Sequence, residues 1–325
     1  MRVVVVVGLS LVACAGPPQP EGTVIVPNSE ADDLLLDGST LYWENETIGG
    51  IFDLSVDPLA STPTTLVSPT AVLSAAAGLP TSIALANGIL YWTNINQATR
   101  SGGSLWSVPV SGGTPTALVA GLDQPSGIVV DGANVYFVDD NVAYVTSTQG
   151  GNFVRVASDV QEFHVANGHG YWTSTNTAGE LFALDLSTPQ ATPTTIATSV
   201  HPLAFTVDAN NVYVRSEGPG DLDVTVTELP LAGGDSLTLF HGYIDDGANV
   251  ERIVLFGSDV YWNARTQILQ VGIDGSNLKR PVQNDVDIIS LVIADDAIYF
   301  ATSRNNVPTP NGSCACPVIV KVSQH

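Results

Sequence analysis

Few residues of this chain have the type and spacing to do chemistry, and most of them stand at fixed offsets from a recurring tyrosine. Nine residues before successive tyrosines lie Asp33, Ser82, Gly127, Glu162, Ala204, Arg252 and Ser290; two residues after them lie Glu44, Thr93, Val138, Thr173, Arg215, Asn263 and Ala301. Asp33, Glu44, Glu162, Arg215, Arg252 and Asn263 therefore form a mixed set of carboxylates, guanidiniums and an amide. Converging on a concavity, such groups bind a polar small molecule or a short peptide. Joined to one another, they make a ring of ion pairs that closes the concavity instead. Asp33, Glu44, Glu162 and Asn263 also offer the hard oxygen ligands that calcium takes. Glu162 and His164 alternate along one run, which puts an acid and a base on one face of a strand. His164 also aligns with Ala84 and Val129, the place of a buried, hydrogen-bonded core histidine, and no other unit carries a second histidine there.

Other chemistries find little support. The acidic doublets Asp32-Asp33, Asp139-Asp140, Asp245-Asp246 and Asp295-Asp296 lack the spacing of a calcium-binding loop, and Asp295-Asp296 falls at a hairpin turn, where aspartate is favoured for its backbone tolerance. There is no glycine-rich phosphate loop and no nucleophile elbow. Cys314 and Cys316 flank one alanine. A disulfide there closes a tight, strained ring, so a disulfide, two thiols and a weak metal site all stay open, with no partner ligands at zinc spacing.

The elements that must position these residues are strands. The tyrosines head aromatic pairs at Tyr42-Trp43, Tyr91-Trp92, Tyr136-Phe137, Tyr171-Trp172, Tyr261-Trp262 and Tyr299-Phe300, with a weaker Tyr213-Val214 in fifth place. Their spacings are 49, 45, 35, 42, 48 and 38 residues. The clearest unit runs from Ile83 to Val119: IALA, the turn Asn87-Gly88, ILYWT, a polar loop, SLWSVPV, a Ser-Gly-Gly turn and TALV. Asn-Gly between apolar runs marks a hairpin, and four short strands at a period of about 40–45 residues mark a propeller blade. The spacing predicts an all-β, seven-bladed β-propeller with four antiparallel strands per blade. The last unit holds three strands only, and Thr23–Pro27 resembles its missing fourth. We expect this N-terminal strand to close the last blade and remove a free sheet edge.

Composition narrows the partners. Ten Lys and Arg against 32 Asp and Glu give a net charge of -22, which disfavours nucleic acid and anionic membrane surfaces. The even repeat argues for one domain over residues 23–325. Ahead of it, Arg2 and an apolar run from Val3 to Val12 have the length of a signal-peptide core. Leu11-Val12-Ala13-Cys14 resembles the bacterial lipobox, which implies cleavage after residue 13, lipidation of Cys14 and a short Pro/Gly tether over 14–22. Ala15 resembles the outer-membrane sorting pattern of Gram-negative lipoproteins.

The units LYWEN, ILYWTN, GYWTS and VYWNA look like the YWTD-type propeller repeat, and ILQVGIDGSNLKRPV looks like that family's third strand, Asp-Gly turn and fourth strand. That family has six blades, whereas seven units are counted here, and its aspartate is replaced. Over nearly the whole mature chain the resemblance is to bacterial exported propeller lipoproteins of unassigned function, in which units such as GSLWSVPVSGGTPTALV recur. It implies a monomeric binding or scaffold module at the outer membrane, facing the periplasm or cell surface. It would have no cofactor, calcium being the one cation considered, and would take an envelope protein, peptide or glycan. The alternative is a propeller enzyme, a lyase or hydrolase dependent on a divalent cation, working at the channel mouth. Propeller lyases and lactonases that use a channel-facing His with Glu are similar to the Glu162 and His164 arrangement. A quinone-dependent redox enzyme is a third reading, whose tryptophan-docking motifs are not evident.

Overall fold

Adjacent side chains of an extended strand point to opposite faces, so each Tyr-aromatic pair must bury one ring on either side of its sheet. The computed structural model satisfies this with seven four-stranded antiparallel sheets set in a ring. It describes residues 22–45, 49–68, 79–96, 99, 102–175, 179–188, 191–198, 202–217, 223–243, 252–283, 286–294, 297–303 and 317–324. The leader, Cys14, Cys314, Cys316, His201, His325 and the doublets Asp245-Asp246 and Asp295-Asp296 lie outside these residues.

From inner to outer strand, blade 1 is Leu34–Asp37, Thr40–Glu44, Ile51–Ser55 and Thr64–Val67. Blade 2 is Leu79–Ala86, Ile89–Ile95, Gly103–Pro109 and Thr116–Leu122. Blade 3 is Pro125–Asp131, Asn134–Asp139, Val142–Ser147 and Val154–Ser158. Blade 4 is Val160–Ala166, His169–Ser174, Leu181–Asp185 and Thr194–Ala197. Blade 5 is Pro202–Val207, Asn211–Glu217, Asp223–Pro230 and Leu237–Tyr243. Blade 6 is Ile253–Phe256, Asp259–Ala264, Gln267–Gly272 and Lys279–Gln283. Blade 7 takes Ile288–Ile293, Ala297–Thr302 and Val318–Ser323 from the C-terminal end, and Thr23–Pro27 is its outer strand. The predicted closing strand is the observed one, with Thr23 opposite Lys321 and Pro27 opposite Val318.

Turn chemistry sets the hairpins. Asn87 and Gly88 have φ of 53° and 71°, and Asn167 and Gly168 have 51° and 74°, the paired left-handed conformations that suit the twist of flanking strands. We call the side of the ring that carries these inner-to-second turns the hairpin face. The opposite side, where the chain enters each inner strand and turns from second to third strand, is the mouth face.

Seven apolar clusters are found among the described residues, one at each junction between neighbouring blades. Each repeats one contact. The tyrosine of a blade joins the cluster it shares with the next blade, where the residue after the next tyrosine points back: Tyr42 with Trp92, Tyr91 with Phe137, Tyr136 with Trp172, and Tyr261 with Phe300. Tyr299 and Trp43 complete the circle from blade 7 to blade 1. At the junction of blades 4 and 5 the weak pair supplies only Val214, and Phe205 on the inner strand fills the space against Tyr171. Truncating one of these buried tryptophans to alanine should remove about 3–5 kcal/mol.

Closure by Thr23–Pro27 predicts that deleting residues 23–27 lowers the melting temperature of the whole ring, because Val26 leaves the junction of blades 7 and 1 and the third strand of blade 7 becomes a bare edge. An unchanged melting temperature would refute the closure. Alkali supplies a second test. Burial raises the ionisation of Tyr42, Tyr91, Tyr136, Tyr171 and Tyr261 above the usual phenol range and pushes Tyr213 up to about 12. The stability these phenols contribute is complete below about pH 10 and is lost as pH rises through the folded value. Arg252 acts in the opposite sense, since burial lowers it to about 10 and raising the pH relieves that penalty, yet its side chain is 35% exposed and it stands alone against six tyrosines. Net stability should therefore fall above pH 10, with tyrosinate absorbance rising together with loss of the sheet's circular dichroism. In a variant with the exposed Tyr243 and the half-buried Tyr144 replaced by phenylalanine, tyrosinate formed while the sheet stays intact would contradict a buried ring of phenols.

Candidate functional site

Each inner strand is a sheet edge, and peptide groups on its free side have no ladder partner. In five blades a register shift near the start of this strand interrupts the ladder further. The two sequence offsets meet here: Ser82 lies opposite Thr93, Glu162 opposite Thr173, Ala204 opposite Arg215 and Ser290 opposite Ala301.

The offset residues satisfy the free edge of the following blade. Ser290 Oγ of blade 7 accepts the N–H of Leu34 in blade 1 at 3.1 Å. Asp33 Oδ2 of blade 1 accepts that of Ile83 in blade 2 at 3.2 Å. Glu162 Oε2 of blade 4 accepts that of Phe205 in blade 5 at 3.2 Å. In each case the donor is the residue after the offset position of the next blade. Carbonyls two residues before that position are met as well. Asn263 Nδ2 donates to Ile288 O at 2.7 Å, and the Thr81 hydroxyl donates to Pro125 O at 3.1 Å. These side chains form a polar seam between blades, a use of Asp33, Glu162 and Asn263 that their spacing alone did not reveal.

Two further contacts involve the ionisable set. Arg252, just ahead of the inner strand of blade 6, pairs through Nη2 with Asp33 Oδ1 of blade 1. Burial pushes its guanidinium down to about 10, and the charge of Asp32 pulls it back up, so Arg252 remains a cation at neutral pH. Glu162 Oε1 is 2.8 Å from His164 Nε2, and the imidazole packs edge-on against Phe205 with centroids 4.4 Å apart. The expected acid and base do meet. His164 is not the buried core residue expected, however: it and Glu162 keep 32% and 33% of their side-chain surface exposed. It lies opposite Tyr171, at the half-buried inner-strand position that Leu35, Ala84, Val129, Thr206, Val254 and Val292 hold in the other blades.

The second-strand offset is corrected in one respect. Glu44, Arg215 and Asn263 do not open on the channel mouth; all three are buried. A second strand is flanked by paired strands on both edges, so its side chains face neighbouring blades rather than solvent. Glu162, Arg252 and a small part of Asp33 stay accessible. Nor do the calcium candidates gather, since among the described residues no three His, Cys, Asp or Glu side chains form a metal-holding group.

No family model matches the chain, and no curated protein does. Solved structures do. The WD40 β-propeller domain of Doa1 superposes with a TM-score of 0.65 at 15% identity, covering 94% of this chain and 97% of that one. BamB from Moraxella catarrhalis gives 0.51 at 12% identity, covering 90% and 85%. A chain of the nidogen/laminin complex gives 0.52 at 15% identity, covering 74% and 92%. At these identities the likeness is one of fold. The chain is a seven-bladed β-propeller.

The sequence analysis missed a cavity of about 290 Å³ at the mouth face between blades 2 and 3, lined by Thr81, Ile95, Gln124, Ser126, Asp140 and Asn141. Its one signal was the Asp139-Asp140 doublet, set aside for lacking the spacing of a calcium-binding loop. It is a turn, with Asp140 and Asn141 at φ of 48° and 62°, but it also walls the cavity. Asp139 holds the preceding loop by accepting the N–H groups of Asp123 and Gln124 at 2.9 and 2.7 Å. Burial raises its carboxyl above the usual range; those two N–H groups oppose the rise, and the charges of Asp123 and Asp140 add to it.

The seam predicts a graded loss of stability in chemical denaturation. Asp33→Ala strands both the Ile83 N–H and the Arg252 guanidinium and should cost about 3 kcal/mol. Ser290→Ala strands only the Leu34 N–H and should cost about 1 kcal/mol. Equal, negligible losses would show that solvent satisfies these groups.

Proposed function

We propose that this protein is an exported lipoprotein, cleaved before Cys14, acylated there and held at the outer membrane of a Gram-negative bacterium. In this reading its propeller is a monomeric binding or scaffold module for an envelope protein, peptide or glycan. The observation that carries it is the state of the polar side chains on the ring. Asp33, Glu162 and Asn263 are engaged with peptide groups of the next blade, and Arg252 is engaged with Asp33. Groups that hold blades together are poorly placed to exchange protons with a substrate, whereas a binding surface needs only shape and charge. The apolar run that ends directly at Cys14 supports the anchor, and the net charge of -22 supports basic rather than acidic partners. One observation favours the enzymatic alternative: Glu162 and His164 are in contact and both partly exposed.

The anchor is tested by labelling cells with a fatty-acid analogue. The wild-type chain should carry the label and fractionate with outer membrane, and Cys14→Ser should abolish the label and release the protein. A labelled Cys14→Ser protein would refute the assignment.

A further inference from the structure

The cavity between blades 2 and 3 has no part in the polar seam except through one wall, and its lining has a definite chemistry. Asp140 contributes a carboxylate; Gln124 and Asn141 contribute amides; Ser126 and Thr81 contribute hydroxyls; Ile95 contributes an apolar wall. Among the described residues, no lysine or arginine lines it. Its walls are held before any ligand arrives. The Thr81 hydroxyl is bonded to Pro125 O and to Thr93 Oγ1, both at 3.1 Å, and Asp139 pins the loop that carries Gln124. Such pre-organisation lowers the cost of binding.

Size and charge select the ligand. At about 290 Å³ the cavity lies at the lower limit of small-molecule sites, roughly 300 Å³, and suits one side chain. Asp139 stands close enough to both Asp123 and Asp140 to interact with them electrostatically, so the rim is negative before the chain's overall charge is counted. A cation is therefore favoured over a neutral polyol, and the described lining residues offer no aromatic platform on which a sugar face could stack. Between the two cationic side chains, a planar guanidinium can bridge a carboxylate and amide oxygens, while its methylene stem lies against Ile95.

We infer that this cavity is a subsite for a cationic side chain, arginine in preference to lysine, presented by a polypeptide partner. The inference rests on the mouth face being a binding surface and names what one part of it takes.

The test is titration calorimetry on the purified full chain with N-acetyl-argininamide, N-acetyl-lysinamide, the uncharged citrulline amide and methyl glucoside. Argininamide should bind with a Kd on the order of 1 mM, as expected for so small a ligand, and lysinamide several-fold more weakly. The citrulline amide and the glucoside should not bind measurably. Asp140→Asn should weaken argininamide at least tenfold; asparagine tolerates the left-handed backbone at this position, and an unchanged melting curve would confirm that the fold is intact. Asp131→Asn, at the hairpin-face end of the inner strand of blade 3 and away from the cavity, should leave binding unchanged. The subsite is overturned if argininamide does not bind, if Asp140→Asn binds it equally well, or if the glucoside binds in its place. Cross-linking in intact envelopes tests the wider reading separately. A chain that binds argininamide as described but captures no envelope protein would overturn the docking role and leave the subsite standing.

Discussion

The ring depends on a single geometric fact applied seven times: neighbouring residues on a strand face opposite ways. Each tyrosine packs forward into the next blade, and the residue after it packs backward into the one before. Among the described residues there is no central core. The apolar interior is divided into junctions, and every blade is stabilised by two neighbours rather than by itself. An unclosed ring would break the junction that Tyr299 and Trp43 share, and the last blade is built from both ends of the chain.

Apolar packing does not finish the inner rim, where strands converge and present unpaired peptide groups. A side chain at one offset serves the neighbour's edge, and three blades use three different acceptors for the same donor position: serine, aspartate and glutamate. Two of these acceptors do further work with the oxygen left over. Asp33 also holds Arg252, just ahead of the inner strand of blade 6, and Glu162 also holds His164. Ion pairing and peptide satisfaction are thus the same residues' task. This weakens the reading of those carboxylates as a ligand set and shifts interest to the rim between blades 2 and 3.

Fold and register were legible in the sequence because repetition made them so. The Tyr-aromatic pairs, the Asn-Gly turns and the missing fourth strand each have a local signature, and Thr23–Pro27 could be matched to the gap by eye. The site was legible only in part. Counting from the tyrosines found Asp33, Glu162 and Asn263 but not their use, because an edge peptide leaves no mark on the sequence. The same counting found Glu44 and Arg215 but not their burial, because strand alternation gives a side chain's face and not what covers it. The cavity was missed because its walls come from four separate segments, one of which, Asp140-Asn141, begins in a doublet that lacks the spacing of a calcium-binding loop.

The outer strand of the closing blade also has a direction. Pro27 lies opposite Val318, where the third strand leaves the mouth face, and Thr23 lies opposite Lys321, toward the hairpin face. The chain arriving from residue 22 therefore meets the ring at its rim on the hairpin side. With an acyl group on Cys14 and eight positions between it and Thr23, the leash spans at most roughly 30 Å. Under the proposed anchoring, a disc tethered so briefly at one edge would stand with its hairpin side to the bilayer and its other side toward open solvent. Lipid headgroups would then be the neighbours the cavity between blades 2 and 3 meets least, and its visitors would approach from the aqueous side of the compartment.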